Sequence, residues 1–76
     1  MEKFVLSTPY IQLNQLLKMM GWVESGAEAN HMIDTGLVFV NGVQEFRKRN
    51  KIMPGFVVEF EGQKVEVQAA QWIRHR

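Results

Sequence analysis

Two hydrophobic periods alternate along this chain. Leu13, Leu16, Leu17 and Met20 recur at the i, i+3, i+4, i+7 spacing of one helical face, with Gln12, Asn14, Gln15 and Lys18 on the other side. The pattern predicts an amphipathic helix that ends near Gly21, with Thr8-Pro9 supplying a cap and a first-turn proline. A second helix is predicted to start at Ser25. Ser25 and Glu28 stand at capping-box spacing, where a hydroxyl and a carboxylate accept from backbone N–H groups that the first turn leaves unpaired. Ala29, Met32 and Ile33 carry its apolar stripe, and Gly36 falls where the chain must take a positive φ just past a helix end. The period then changes. Leu37 to Val40 reads as a strand, Asn41-Gly42 supplies the two positive-φ residues of a type I′ turn, and the chain returns through Val43-Gln44-Glu45-Phe46.

Further on, Pro54-Gly55 occupies the centre of a predicted type II turn. Phe56, Val58 and Phe60 alternate with Val57 and Glu59, and after Glu61-Gly62 a second alternation runs from Gln63 to Val67, which predicts another hairpin. Phe4-Val5-Leu6 reads as a short edge strand. Residues 69–76 show no alternation and read as a flexible tail, whose Trp72-Ile73 can dock on the body. Trp22 or Val23, in the short link between the helices, can close one end of the core. The expected architecture is a single α+β domain over 1–76, two adjacent helices packed on a small, mostly antiparallel sheet of about four to five short strands. Its core is expected to join Leu16, Leu17, Met32, Ile33, Val38, Val40, Val58 and Phe60, with Met19, Met20 and Met32 filling gaps.

Size limits that core, because a chain of 76 residues buries only about 60% of the surface its unfolded form exposes. An apolar content of 46% beside 22% charged residues is that of a globular chain, not a disordered one. The absence of cysteine excludes disulfides and thiolate metal sites and fits a reducing cytoplasm. His31 and His75 are the two histidines, at no metal-ligand spacing. No stretch approaches the roughly 20 apolar residues of a membrane span, and Met1 to Gln12 has no apolar core of a secretory signal. The expectation is a soluble cytoplasmic monomer with no cofactor, metal or membrane partner.

The net charge of +1 conceals an uneven distribution. Four of the nine cations lie in Arg47-Lys48-Arg49-Asn50-Lys51, and outside that run five cations face eight acids. Arginine forks and lysine point charges in such a run could neutralise several phosphates of a nucleic acid. Taken alone, the pentapeptide is equally well read as a solvated loop that blunts a sheet edge. Phe46 beside it could stack on an unpaired base, although a phenylalanine at a strand end is more often core. Asp34, Glu45, Glu59, Glu61 and Glu66 suggest no acid/base pair, since carboxylates on strand exteriors and turns are solvated. No phosphate-binding lysine loop, dinucleotide fingerprint, nucleophile elbow or cysteine nucleophile is present, which argues against catalysis.

The run from Ser25 through Ala29, Met32-Ile33 and Gly36 to Val38-Phe39-Val40-Asn41-Gly42 resembles the αL-motif RNA-binding domain, shared by small-subunit ribosomal protein S-four, some pseudouridine synthases and some tyrosyl-tRNA synthetases. The likeness extends upstream through Gln12 to Lys18 and downstream through Pro54-Gly55. Three departures stand out: Gln12 and Gly26 occupy positions where the family carries arginine, and Phe56 replaces an aspartate. The basic run at 47–51 resembles that of a bacterial branch of stand-alone domains of this type. The resemblance implies non-catalytic binding of structured RNA, ribosomal or transfer, with the ribosome or another ribonucleoprotein as the setting. It further implies that Gln12, Lys18, Ser25, Asn30 and His31 gather near the RNA-facing groove, alongside Arg47, Lys48, Arg49 and Lys51. Ser25 already has a sufficient role as a helix cap, and His31 is most simply an exposed helical residue. If the four cations each meet one phosphate, log affinity should fall against log salt with a slope of about −3 to −4. The competing class is a protein-interaction adaptor that uses a sheet edge or the C-terminal tail.

Overall fold

The chain order is β1 (Glu2–Leu6), β2 (Ile11–Gln12), α1 (Leu13–Met19), α2 (Gly26–Asp34), β3 (Val38–Val40), β4 (Val43–Gln44), β5 (Lys51–Ile52), β6 (Val57–Phe60) and β7 (Gln63–Ala69). These elements come from a computed structural model that describes residues 1–70. A five-stranded sheet runs β1-β7-β6-β3-β4, and β2 pairs with β5 in a separate two-stranded ribbon. Only β1 and β7 are parallel; the other pairs are antiparallel. This is the expected α+β arrangement of two adjacent helices on a mostly antiparallel sheet.

Local chemistry places much of it. Asn41 (φ 52°) and Gly42 (φ 83°) form the turn between β3 and β4, and Glu61 (φ 52°) and Gly62 (φ 78°) form the one between β6 and β7. The Asn41 side chain does a second task, since its carbonyl oxygen accepts the Val57 N–H at 2.9 Å and so ties the hairpin to β6. Both helices end in the same way. Gly21 donates to Lys18 and Trp22 to Leu17 after α1, while Gly36 donates to Ile33 and Leu37 to Met32 after α2. In each case a positive-φ glycine lets two backbone N–H groups turn back onto carbonyls that the helix leaves unpaired.

The helix starts differ. Ser25 Oγ accepts the Glu28 N–H at 3.1 Å, as expected, and the Glu28 carboxylate reaches back to the N–H of Glu24 at 2.8 Å, one residue beyond the cap. The other helix does not begin at Thr8-Pro9. It begins at Leu13, after Gln12, whose side chain makes no capping bond. The Thr8 hydroxyl instead donates to the Tyr10 carbonyl at 2.8 Å and stabilises a bend, after which Ile11 and Gln12 pair with Ile52 and Lys51. Pairing with a strand some 40 residues away overrides the local proline signal.

One core joins helices and sheet. Leu16, Leu17, Ile33, Val38, Val40, Val58 and Phe60 are buried as expected, and Leu6, Leu13, Val23, Ala29, Ile52, Val65 and Val67 join them. Met20, Met32 and Trp22 pack at its margin, and the Trp22 ring stacks on Phe60 with centroids 6.4 Å apart. Met19 is exposed, so it fills no gap. Nor does the return strand reach Phe46: β4 stops at Gln44, and Phe46 stays 54% exposed. The tail does not start at residue 69. Parallel pairing with β1 matches Ala69 to Leu6, and Ala70 is buried, so β7 outlasts its own alternation. Trp72 and Ile73 lie outside the described residues.

Candidate nucleic-acid interface

The basic segment leaves β4 and returns in β5, and one carboxylate organises the loop between them. Glu45 Oε2 accepts both the Arg47 backbone N–H and Arg47 Nε at 2.9 Å, while Oε1 accepts Arg47 Nη2 at 3.1 Å and Asn50 Nδ2 at 3.3 Å. The Glu45 side chain is only 14% exposed, against 76% for Arg47. The hydrogen bond from the Arg47 side chain, together with its backbone N–H and its charge, holds the Glu45 carboxyl below its ordinary value, although burial acts the other way. The same bond raises the Arg47 guanidinium. Arg47 is therefore partly neutralised inside its own loop. Lys48, Arg49 and Lys51 remain as its solvent-facing cations without a carboxylate partner among the described residues.

The loop backbone holds the start of α1. Leu13 N–H donates to the Asn50 carbonyl and Asn14 N–H to the Lys48 carbonyl, both at 2.9 Å. Two of the helix's unpaired first-turn donors are thus satisfied by the basic loop itself, with no side-chain cap. From Asn14 the connection continues to the second helix, because Asn14 Nδ2 donates to Asn30 Oδ1 at 3.1 Å. Asn14 Oδ1 is buried without a partner. Loop, α1 and α2 are consequently one hydrogen-bonded body.

The residues expected at the site fall into two groups. Gln12 lies opposite Lys51 in the β2–β5 ribbon, and Arg47, Arg49, Asn50 and Lys51 line one basic recess of about 390 Å³. Asn30 joins this group through Asn14. Lys18, exposed in the last turn of α1, shares the Asn14 face one helical turn away. Ser25 and His31 are exposed on α2 and make no side-chain hydrogen bond or ion pair to the loop among the described residues. Gly26 opens α2 with free space where a β-carbon would stand.

The sequence did not place three residues of this region at the site. Glu45 had a usable signal, a carboxylate two residues before an arginine at a strand end. Asn14 had none, since its partners lie in the loop and in the other helix. Tyr10 also had none: it is brought to the loop by the β2–β5 ribbon, where Lys51 Nζ sits 5.0 Å from its ring centre. Phe46, at the foot of the loop, has its ring edge 3.3 Å from the position a β-carbon on Gly36 would occupy. Among the described residues, no three histidine, aspartate or glutamate side chains come together as a metal site, and no helix is long and apolar enough to cross a membrane.

Known proteins are similar to this chain in sequence and fold. YbcJ of Escherichia coli strain K12, provisionally named an RNA-binding protein, is 49% identical over 61 residues, which are 80% of this chain and 87% of YbcJ. The uncharacterized YbcJ of Shigella flexneri matches to the same extent. The solution structure of Escherichia coli YbcJ, described as revealing an αL motif involved in RNA binding, superimposes with a TM-score of 0.70 at 47% identity, covering 91% of this chain and 89% of that one. The sequence profile of the S4 domain matches residues 4–68, from β1 through nearly all of β7. With its paired helices, its Asn-Gly hairpin and that match in place, the chain belongs to the S4 domain family.

Proposed function

We propose that this protein binds RNA without catalysing a reaction on it, through the loop 47–51 and the polar side of α1 and α2. The observation that carries the proposal is the anchoring of the loop by its own backbone. Two loop carbonyls cap α1, so Lys48, Arg49 and Lys51 are presented from a fixed frame and not from a solvated strand connection. A fixed array of cations matches phosphates at set spacing, which selects folded RNA by shape more than by base sequence. The RNA-binding designations of YbcJ support the same reading. Ribosomal and transfer RNA are the structured RNAs we propose as targets, met by a monomer in the cytoplasm.

The test is a salt titration of binding to a structured RNA. With Arg47 committed to Glu45, three cations are free, and log affinity should fall with log salt at a slope of about −2 to −3 instead of the −3 to −4 expected for four. Replacing Arg49 and Lys51 together with alanine should reduce that slope by about 1.5 to 2 and weaken all RNAs alike. Wild-type affinity in the double variant at moderate salt would show the loop to be a solvated edge, and would favour an adaptor role for the open edge of β1.

A further inference from the structure

A second groove lies beside the basic loop. It encloses about 540 Å³ between β1, the Ser7–Tyr10 bend and α1, and its walls include Phe4, Tyr10, Gln12, Gln15 and Met19. Its composition is mixed: an aromatic ring and apolar side chains on one hand, two amides on the other. Its position matters as much. Tyr10 carries the Lys51 ammonium 5.0 Å from its ring centre, and Gln12 lies opposite Lys51 in the ribbon. Lys51 also lines the basic recess with Arg47, Arg49 and Asn50. Lys51 of the recess therefore stands next to Tyr10 and Gln12 of the groove wall.

We propose that this groove is a subsite for a single unpaired nucleotide of the bound RNA. It rests on the RNA-binding reading above. Tyr10, 38% exposed and with its backbone carbonyl fixed by the Thr8 hydroxyl, is the stacking platform. Every base offers a π-face to such a ring, and unpaired bases in RNA are held chiefly in this way. The Lys51 ammonium is a solvent-exposed contact, which a base replaces on the ring while the ammonium turns to that nucleotide's phosphate. Gln12 and Gln15 carry the donor and acceptor pairs that a base edge requires. Continuity of charge with the recess decides the occupant: the nucleotide must be joined to a backbone that runs across Arg49 and Lys51. A bulge, or a single-stranded flank next to a duplex, has that geometry.

The experiment compares an RNA hairpin of continuous duplex with the same hairpin carrying one 2-aminopurine bulge, each titrated with wild type, Tyr10→Leu and Tyr10→Phe. Wild type should prefer the bulged RNA by about 5- to 150-fold, the range of one base–aromatic stack. The 2-aminopurine emission should be quenched on binding. Tyr10→Phe keeps a ring and should retain both the preference and the quench, whereas Tyr10→Leu should bring the ratio of the two affinities to near one and abolish the quench. Equal binding of both RNAs by wild type, or quenching that survives in Tyr10→Leu, overturns the subsite while leaving RNA binding intact. Binding of neither RNA overturns the functional reading and the subsite together.

Discussion

α1 and α2 lie side by side and end in the same glycine turn, yet their first turns are held by different parts of the chain. α2 is started by its own neighbours, Ser25 and Glu28, within a four-residue window. α1 is started by the carbonyls of Lys48 and Asn50, which reach it across the β2–β5 ribbon. A self-capped helix depends on nothing else for its first turn. A helix capped by a distant loop ties that loop's conformation to its own, and here the tied loop carries the cations proposed to meet RNA. The helix start with the weaker local signal is therefore the one that organises the candidate site.

The largest perturbation should fail to separate the two helices. Leu17→Ala empties a fully buried position in the shared core and should cost about 2 to 5 kcal/mol, a large part of the stability of so small a domain. In a denaturant titration both helices should then unfold together at a much lower midpoint. Caps should separate them. Ser25→Ala should cost about 1 kcal/mol, while Gln12→Ala, whose side chain caps nothing, should stay within about 0.5 kcal/mol. Equal losses in the two variants would remove the distinction between local and tertiary capping.

Binding sharpens the comparison from the other helix. Gly26 opens α2 in free space, so Gly26→Arg should fit without rearrangement and add one phosphate contact. The salt slope should steepen by about 0.7 to 0.9, measured as in the titration above. The smallest effect concerns acid. Because Glu45 has a folded-state pKa below its ordinary 4.5, the bonds it accepts stabilise the loop fully above about pH 4.5 and are lost as pH falls through the lower folded value. Amide exchange at Arg47 and Asn50 should accelerate on that descent while Glu28, bonded to the Ser25 hydroxyl, stays protected. Glu45→Gln should show no such step.

Legibility in the sequence followed the distance over which each feature is decided. Ser25 and Glu28, the stripe through Ile33, Gly36, and the Asn41-Gly42 turn could be placed because each depends on residues a few positions apart. Thr8-Pro9 misled for the same reason: it is a sound helix start judged alone, but pairing of Ile11 and Gln12 with β5 and the carbonyls waiting beyond them moved the start to Leu13. Phe46 read as core because a phenylalanine at a strand end usually is, and lies exposed because the chain leaves β4 to bond Glu45 and Arg47 within the loop. At the candidate site the basic run was plain, but not that Glu45 would take Arg47 out of the count, nor that Tyr10 would come to stand beside Lys51.

Composition and pattern alone determined an α+β domain with two amphipathic helices, an Asn-Gly hairpin, a cysteine-free core and one concentrated run of positive charge. These follow from side-chain volume, backbone preference and burial, which act over a turn or a strand at a time. Tertiary structure decided where α1 begins, that β7 extends alongside β1, and which cations of the loop stay free. The first two outcomes turn on hydrogen bonds between groups some 35 to 60 residues apart, and the third on the loop geometry that brings Glu45 back onto Arg47. A backbone carbonyl is the same in every residue type, so no residue name along the chain marks the ones that cap α1.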